Sequence, residues 1–93
     1  MLYVVVYDIE DDRVRDRLAR LLLRFGERVQ ESVFECRITP KKAALMIERL
    51  GYTLGSAEAG NVRVYRVCPD CHAASVGLGR LKKTEGDEPW VII

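Results

Sequence analysis

The first ten residues constrain this chain more than any other stretch. The apolar run Leu2-Tyr3-Val4-Val5-Val6-Tyr7 ends in Asp8 and continues as Ile9-Glu10. β-branched valines favour an extended backbone, and apolar side chains at successive positions predict a strand covered on both faces or central in its sheet. A carboxylate at the tip of such a strand needs water, a cation, an arginine or a metal, because desolvating it unpaired is costly. The pattern alone permits two readings. Asp8 is a chemical or metal-binding group, or it only begins the turn into the first helix, with Asp11 or Asp12 as the N-cap.

The 93 residues, 48% of them hydrophobic, suit a single domain (1–93) with one core. A formal net charge of +1 does not by itself point to nucleic acid, so the distribution of charge matters more than its sum. The N-terminal run is too short to span a bilayer and lacks a basic leader, so a cytoplasmic location and no membrane partner are expected. Three cysteines, an odd number, argue for reduced thiols or a metal site over a disulfide framework.

Val14, Leu18, Leu21, Leu22 and Phe25 fall on one face of a helix over about 11 to 25, closed by Gly26. Residues 28 to 38 alternate polar and apolar and predict two strand segments bent at Ser32. Thr39-Pro40 gives an N-cap with proline at the first helical position, opening a second helix that runs to Gly51. Asn61 to Val67 alternates, predicting a half-buried strand with valines and arginines on opposite sides. Cys68-Pro69-Asp70-Cys71-His72 stops that strand, and Ser75 to Gly79 offers a further short one. The order is βαββαβ, an α+β ferredoxin-like arrangement that hosts many functions. Residues 80–93 read as a linker and a C-terminal strand extension; the apolar ending Trp90-Val91-Ile92-Ile93 is expected to add as a strand, in cis or across a dimer.

Arg13, Arg17, Arg20 and Arg24 recur at helical spacing and form one stripe flanking the apolar face of the first helix, with Arg15 and Arg28 adding to the local charge. Guanidinium groups bind phosphate in bidentate fashion, so such a stripe could track a nucleic-acid backbone. The alternative is a solvated face partly paired with Asp16, Glu27 and the acidic cluster at 10–12. A lone Asp8 is too few ligands for an all-protein magnesium site, but magnesium keeps waters and needs only one or two carboxylates plus substrate phosphates. A two-fold axis would bring a second Asp8 to the same ion. Cys68, Cys71 and His72 with the distant Cys36 have the ligand types of a structural zinc site, although one CxxC pair also fits free thiols in a strand-ending turn. The Cys-x-x-Cys-His pattern matches covalent haem attachment as well, a chemistry suited to exported proteins.

Three passages together resemble a known family: Tyr7-Asp8-Ile9, Arg28-Val29-Gln30-Glu31-Ser32-Val33-Phe34-Glu35 and Val62-Arg63-Val64-Tyr65. They resemble the Cas two (Cas2) proteins, the small CRISPR-associated adaptation proteins that partner the Cas one (Cas1) integrase. The resemblance implies a ferredoxin-like homodimer whose C-terminal strand packs on the partner subunit, with Asp8 near the dimer axis as the magnesium-binding catalytic carboxylate. It further implies roles for Tyr7, Arg15, Arg17, Arg28 and Phe34, and matches Ser32 to a family serine. The Cys68 to His72 segment is not part of the shared pattern, so the resemblance gives no support to zinc.

Three functions are then in competition. One is a magnesium-dependent endonuclease acting on single-stranded RNA or double-stranded DNA, with Asp8 from each subunit holding the ion. Another is a non-catalytic dimeric scaffold that grips double-stranded DNA by its backbone and serves the Cas1 integrase during spacer insertion into CRISPR arrays. The last, outside the family, is a ferredoxin-like module binding a small molecule or a protein. Leu23 falls off the apolar stripe and marks either a partner contact or nothing.

Overall fold

The structure is a computed structural model that describes residues 1–79. The first strand, β1 (Leu2–Ile9), is followed by helix α1 (Asp12–Leu22), strands β2 (Glu27–Gln30) and β3 (Val33–Arg37), helix α2 (Pro40–Leu54), strand β4 (Gly60–Val67) and a short helix α3 (Pro69–Ala73). The strands form one antiparallel sheet in the order β2-β3-β1-β4, the ferredoxin-like βαββαβ arrangement. The expected C-terminal strand at 90–93 and its linker lie outside the described residues.

Alternation along β1 decides what the sheet buries. Side chains of successive strand residues point to opposite faces, so Tyr3, Val5, Tyr7 and Ile9 enter the helix-side core, where they meet Leu18, Ala19 and Leu22 of α1 and Ala43, Met46 and Leu50 of α2. Phe34 and Cys36 join them from β3, opposite Val5 and Tyr3 respectively. Val4, Val6 and Asp8 occupy the other face, which no helix of the core covers. β1 is thus central, paired on both edges, while its two faces see different surroundings.

The helices begin where capping chemistry predicts. Asp11 accepts the backbone N–H groups of Arg13 (2.8 Å) and Val14 (3.2 Å), and the Thr39 hydroxyl accepts that of Lys42 at 3.2 Å, with Pro40 next. Their ends differ from expectation. α1 stops at Leu22, and Phe25 turns back into the core through a Phe25 N–H bond to the Leu22 carbonyl (2.9 Å). α2 continues through Gly51 to Leu54, because Leu54 extends the apolar stripe against Val62 and Val64 and outweighs one interior glycine, a cost of about 1 kcal/mol.

Of three further expectations, two meet the structure differently and one is present. In β4 the helix-side residues are Val62, Val64 and Arg66, opposite Tyr7, Val5 and Tyr3, while Arg63 shares the open face with Tyr65 and Val67. The odd spacing of Val67 from the other valines breaks the simple division of valines from arginines. Ser75 to Gly79 forms no strand. The segment after β4 instead folds into α3, with Cys68 as its N-cap and Pro69 in its first turn. The expected bend at Ser32 is present as the tight turn between β2 and β3, and a bulge between Arg28 and Gln30 shifts the register there.

Gly26 does more than close a helix. A Cβ at this position would lie 2.6 Å from the Cys36 sulfur and closer still to the Glu35 carbonyl oxygen, so the chain entering β2 crosses β3 where only glycine fits. Gly26→Ala should lower stability by about 1–3 kcal/mol, read as a reduced urea midpoint with an unchanged slope; an unshifted midpoint would contradict the close approach.

The core also sets a pH dependence. Burial, reinforced by the Glu35 charge, pushes the Cys36 thiol from 9.0 up to about 11. The native state therefore keeps a proton that the unfolded chain releases, and this contribution, present below pH 9, is lost as pH rises from about 9 to about 11. Urea titrations across that window should show a fall in stability that is smaller in Cys36→Ala. Equal falls in both proteins would remove Cys36 as the cause.

Candidate nucleic-acid and metal site at the tip of the first strand

Asp8 is exposed near the end of β1 on the open face of the sheet, opposite Asn61 of β4. Among the described residues its carboxylate takes part in no hydrogen bond or ion pair. β4 can reach this point only because it starts with glycine. Gly60 has φ 134°, and a Cβ there would overlap the Asp8 carbonyl oxygen and stand 3.1 Å from its carbon. The sequence marks Gly60 as part of a glycine-containing turn before the alternating strand, and a glycine in that place also signals a close backbone approach.

The residue before Asp8 points the other way. Tyr7 donates its hydroxyl to the Glu31 carbonyl (3.1 Å) and accepts from the Arg28 guanidinium (3.2 Å). Arg28 lies over the Phe34 ring at 5.3 Å from its centroid, and the Tyr7 and Phe34 rings stack with centroids 6.3 Å apart. The Ser32 carbonyl accepts the Tyr7 N–H at 3.1 Å, a backbone contact that carries the β1–β3 pairing to the strand tip. Tyr7, Arg28 and Phe34 thus brace the strand from the helix side while Asp8 faces out on the other. Period-two alternation places neighbours 7 and 8 on opposite faces and could have separated these roles in advance.

The arginines divide in the same way. Arg15 donates to the carbonyls of Ile9 (3.1 Å) and Glu10 (3.4 Å) and pairs with Asp12, so it ties the β1–α1 turn together. Arg13, Arg17 and Arg20 are exposed on α1, and Arg24 is exposed just beyond its C-cap, Leu23. Their stripe is centred about 180° around the helix from the arc of Leu18, Ala19 and Leu22, so it faces away from the sheet rather than flanking the core. Asp8 and the stripe therefore stand on opposite sides of the molecule's two layers. Leu23 is also exposed, at 58%, in the turn after α1.

The four expected zinc ligands are not assembled. Cys36 is fully buried in the helix-side core, whereas Cys68 and Cys71 are exposed beyond the end of β4 and His72 lies beside them on α3. Among the described residues no group of three or more His, Cys, Asp or Glu side chains converges to hold a metal ion. The physical reason is the phase of β3, which turns Cys36 inward with Phe34. Asp8 likewise offers one carboxylate per chain, enough for magnesium only with water, phosphate or a second copy. No helix among the described residues is long and apolar enough to cross a membrane.

Comparison with known proteins agrees with this fold. A Rhodospirillum rubrum protein named CRISPR-associated endoribonuclease Cas2 4 is 36% identical over 91 residues, covering 98% of this chain and 73% of the relative. Streptococcus pyogenes Cas2 superposes with a TM-score of 0.72 at 27% identity, covering 85% of this chain and all of that one. A chain of a partial Cas6-RT-Cas1–Cas2 complex superposes with a TM-score of 0.70 at 29% identity, covering 82% of this chain and 88% of the other. The family model for CRISPR associated protein Cas2 matches residues 1–74, a span that holds the β1 tip, the β2–β3 turn, the bracing aromatics and β4. On that match and on the likeness to its relatives, the chain belongs to the CRISPR-associated Cas2 family.

Proposed function

We propose that the chain acts as a nucleic-acid-binding homodimer of CRISPR adaptation, working with a Cas1 integrase, in which two copies of Asp8 share one magnesium ion. The observation that carries this reading is the exposed Asp8 carboxylate, unpaired among the described residues, at a strand tip that Tyr7, Arg28 and Phe34 hold from behind. Its hard oxygen donors suit magnesium, and a two-fold axis supplies the second carboxylate that one chain lacks. When bound, such an ion polarises a phosphoryl oxygen and makes its water a better nucleophile. The chain's own part is positional: Asp8 holds the ion, Gly60 admits β4 beside it, and Arg15 fixes the adjoining turn into α1. The endoribonuclease name of the Rhodospirillum rubrum relative supports phosphodiester hydrolysis of RNA, and double-stranded DNA is the other substrate class.

A scaffold role rests on a different observation. The exposed arginines of α1 face away from the sheet and from Asp8, so a nucleic-acid backbone can be gripped there without reaching the carboxylate. Such contacts are to phosphate, salt-sensitive and indifferent to sequence. We take gripping double-stranded DNA for the Cas1 integrase as the main biological role, with hydrolysis able to coexist on the opposite face. The similarity to a chain of a Cas1–Cas2 complex supports that partner.

Two measurements separate the faces. Asp8→Asn should abolish magnesium-dependent cleavage of RNA or DNA while leaving DNA affinity and the thermal midpoint unchanged. Cleavage that persists in the variant would assign it to a contaminant and leave the scaffold alone. Replacing Arg13, Arg17, Arg20 and Arg24 together with glutamine should weaken DNA binding and flatten the plot of log affinity against log salt by about three to four. An unchanged slope would remove the stripe from the interface.

A further inference from the structure

We propose that Cys68 and Cys71 form a redox-active dithiol that exchanges with small-molecule disulfides and closes to an intramolecular disulfide at the end of β4. Neither the strand-tip site nor the arginine stripe uses these residues. They lie at the far end of the sheet from Asp8: Asp8 pairs with Asn61 near the start of β4, and Cys68 comes directly after its last residue, Val67, about 20–25 Å along the strand.

The geometry places two cysteines one helical turn apart, with the Cys68 sulfur turned toward the backbone of Cys71. Cys68 is the N-cap of α3, and its sulfur accepts the Cys71 backbone N–H at 3.3 Å. A sulfur held this close to the Cys71 amide is also near the Cys71 side chain, which helps to lower the Cys68 thiol pKa. Both residues are exposed, so a disulfide reagent can approach either sulfur. Closure needs the two Cβ atoms to move from the ordinary helical separation of about 5–6 Å to about 4 Å, a displacement that a five-residue exposed helix can absorb.

The two sulfurs are not equivalent. The Cys71 thiol and backbone N–H donate to Cys68, with the Asp70 N–H and the Arg66 charge adding, and these lower the Cys68 thiol pKa. The same contact raises that of Cys71. Cys68 is therefore the attacking sulfur and Cys71 the resolving one. The Cys68 thiolate attacks one sulfur of a small disulfide RSSR, forming a mixed disulfide and releasing RS⁻. Cys71 then loses its proton to solvent and attacks the Cys68 sulfur, releasing the second RS⁻. The protein dithiol is oxidised by two electrons, and RSSR is reduced to two thiols. The third cysteine, Cys36, takes no part because it is buried in the core with a raised pKa.

The test equilibrates the full-length reduced protein with mixtures of reduced and oxidised glutathione, then applies acid quench, alkylation and peptide mass mapping. The expected result is a Cys68–Cys71 disulfide that forms reversibly, with Cys36 labelled only after denaturation. Cys71→Ser should trap glutathione on Cys68, and Cys68→Ser, which keeps a capping oxygen, should slow modification of Cys71 by about tenfold or more relative to that of Cys68 in Cys71→Ser. Circular dichroism of both variants verifies that they fold. A dithiol that stays reduced at high oxidised glutathione, a reaction that stops at mixed disulfides in the wild type, or equal rates at the two sulfurs would each overturn the proposal. Cleavage and DNA binding by the same samples report on the strand-tip site separately.

Discussion

The pairing of β1 on both of its edges is the constraint on which the rest of the molecule depends. Every residue from Leu2 to Ile9 has a partner in β4, and Leu2 to Val6 also have partners in β3. A strand fixed on both edges cannot slip by one residue without turning its whole core face to the opposite side. Val5, fully buried at its centre, would exchange places with Val4 or Val6, and Tyr7 with Asp8. Register and function are therefore one problem here. The hydrogen bonds that keep Tyr7 inside the core are the same ones that keep the Asp8 carboxylate outside it.

That division explains how a small domain holds an ionisable group beside a dry core. The helix side of the strand tip carries two stacked aromatic rings and a guanidinium lying on one of them. The open side presents a carboxylate whose nearest cross-strand neighbour is Asn61. The exposed arginines Arg13, Arg17 and Arg20 of α1 stand beyond the helix layer, so the basic stripe and the acidic strand tip lie on opposite sides of the fold. One face can change its charge without directly perturbing the other.

Much of this was legible in the sequence because the signals are local. The valine run, Asp11 and Thr39 as caps, Pro40 in the first helical turn and the break at Ser32 each depend on a few adjacent residues. What was not legible depends on distant contacts. Phe25 fits the helical stripe of α1, yet it packs from a turn because the crossing to β2 begins at Gly26. Gly51 looks like a stop, yet Leu54 is drawn onward by Val62 and Val64. At the candidate site, residue type exposed Asp8 but not the direction of Arg15 or Arg28. An arginine in a basic cluster carries no local mark of whether it meets solvent, a ring or a carbonyl.

Arg15 shows how much such a placement can govern. The carbonyls of Ile9 and Glu10 sit where the chain leaves the sheet, and a single guanidinium gathers both while holding Asp12 at the start of α1. It serves as a keystone for the corner between strand and helix. A substitution there would loosen the corner and let the strand tip wander, so an Arg15 variant reports on the rigidity of the frame around Asp8. In a protein this small, the residues that shape a site and those that touch a ligand can be sequence neighbours of the same type, told apart only by which atoms they hold.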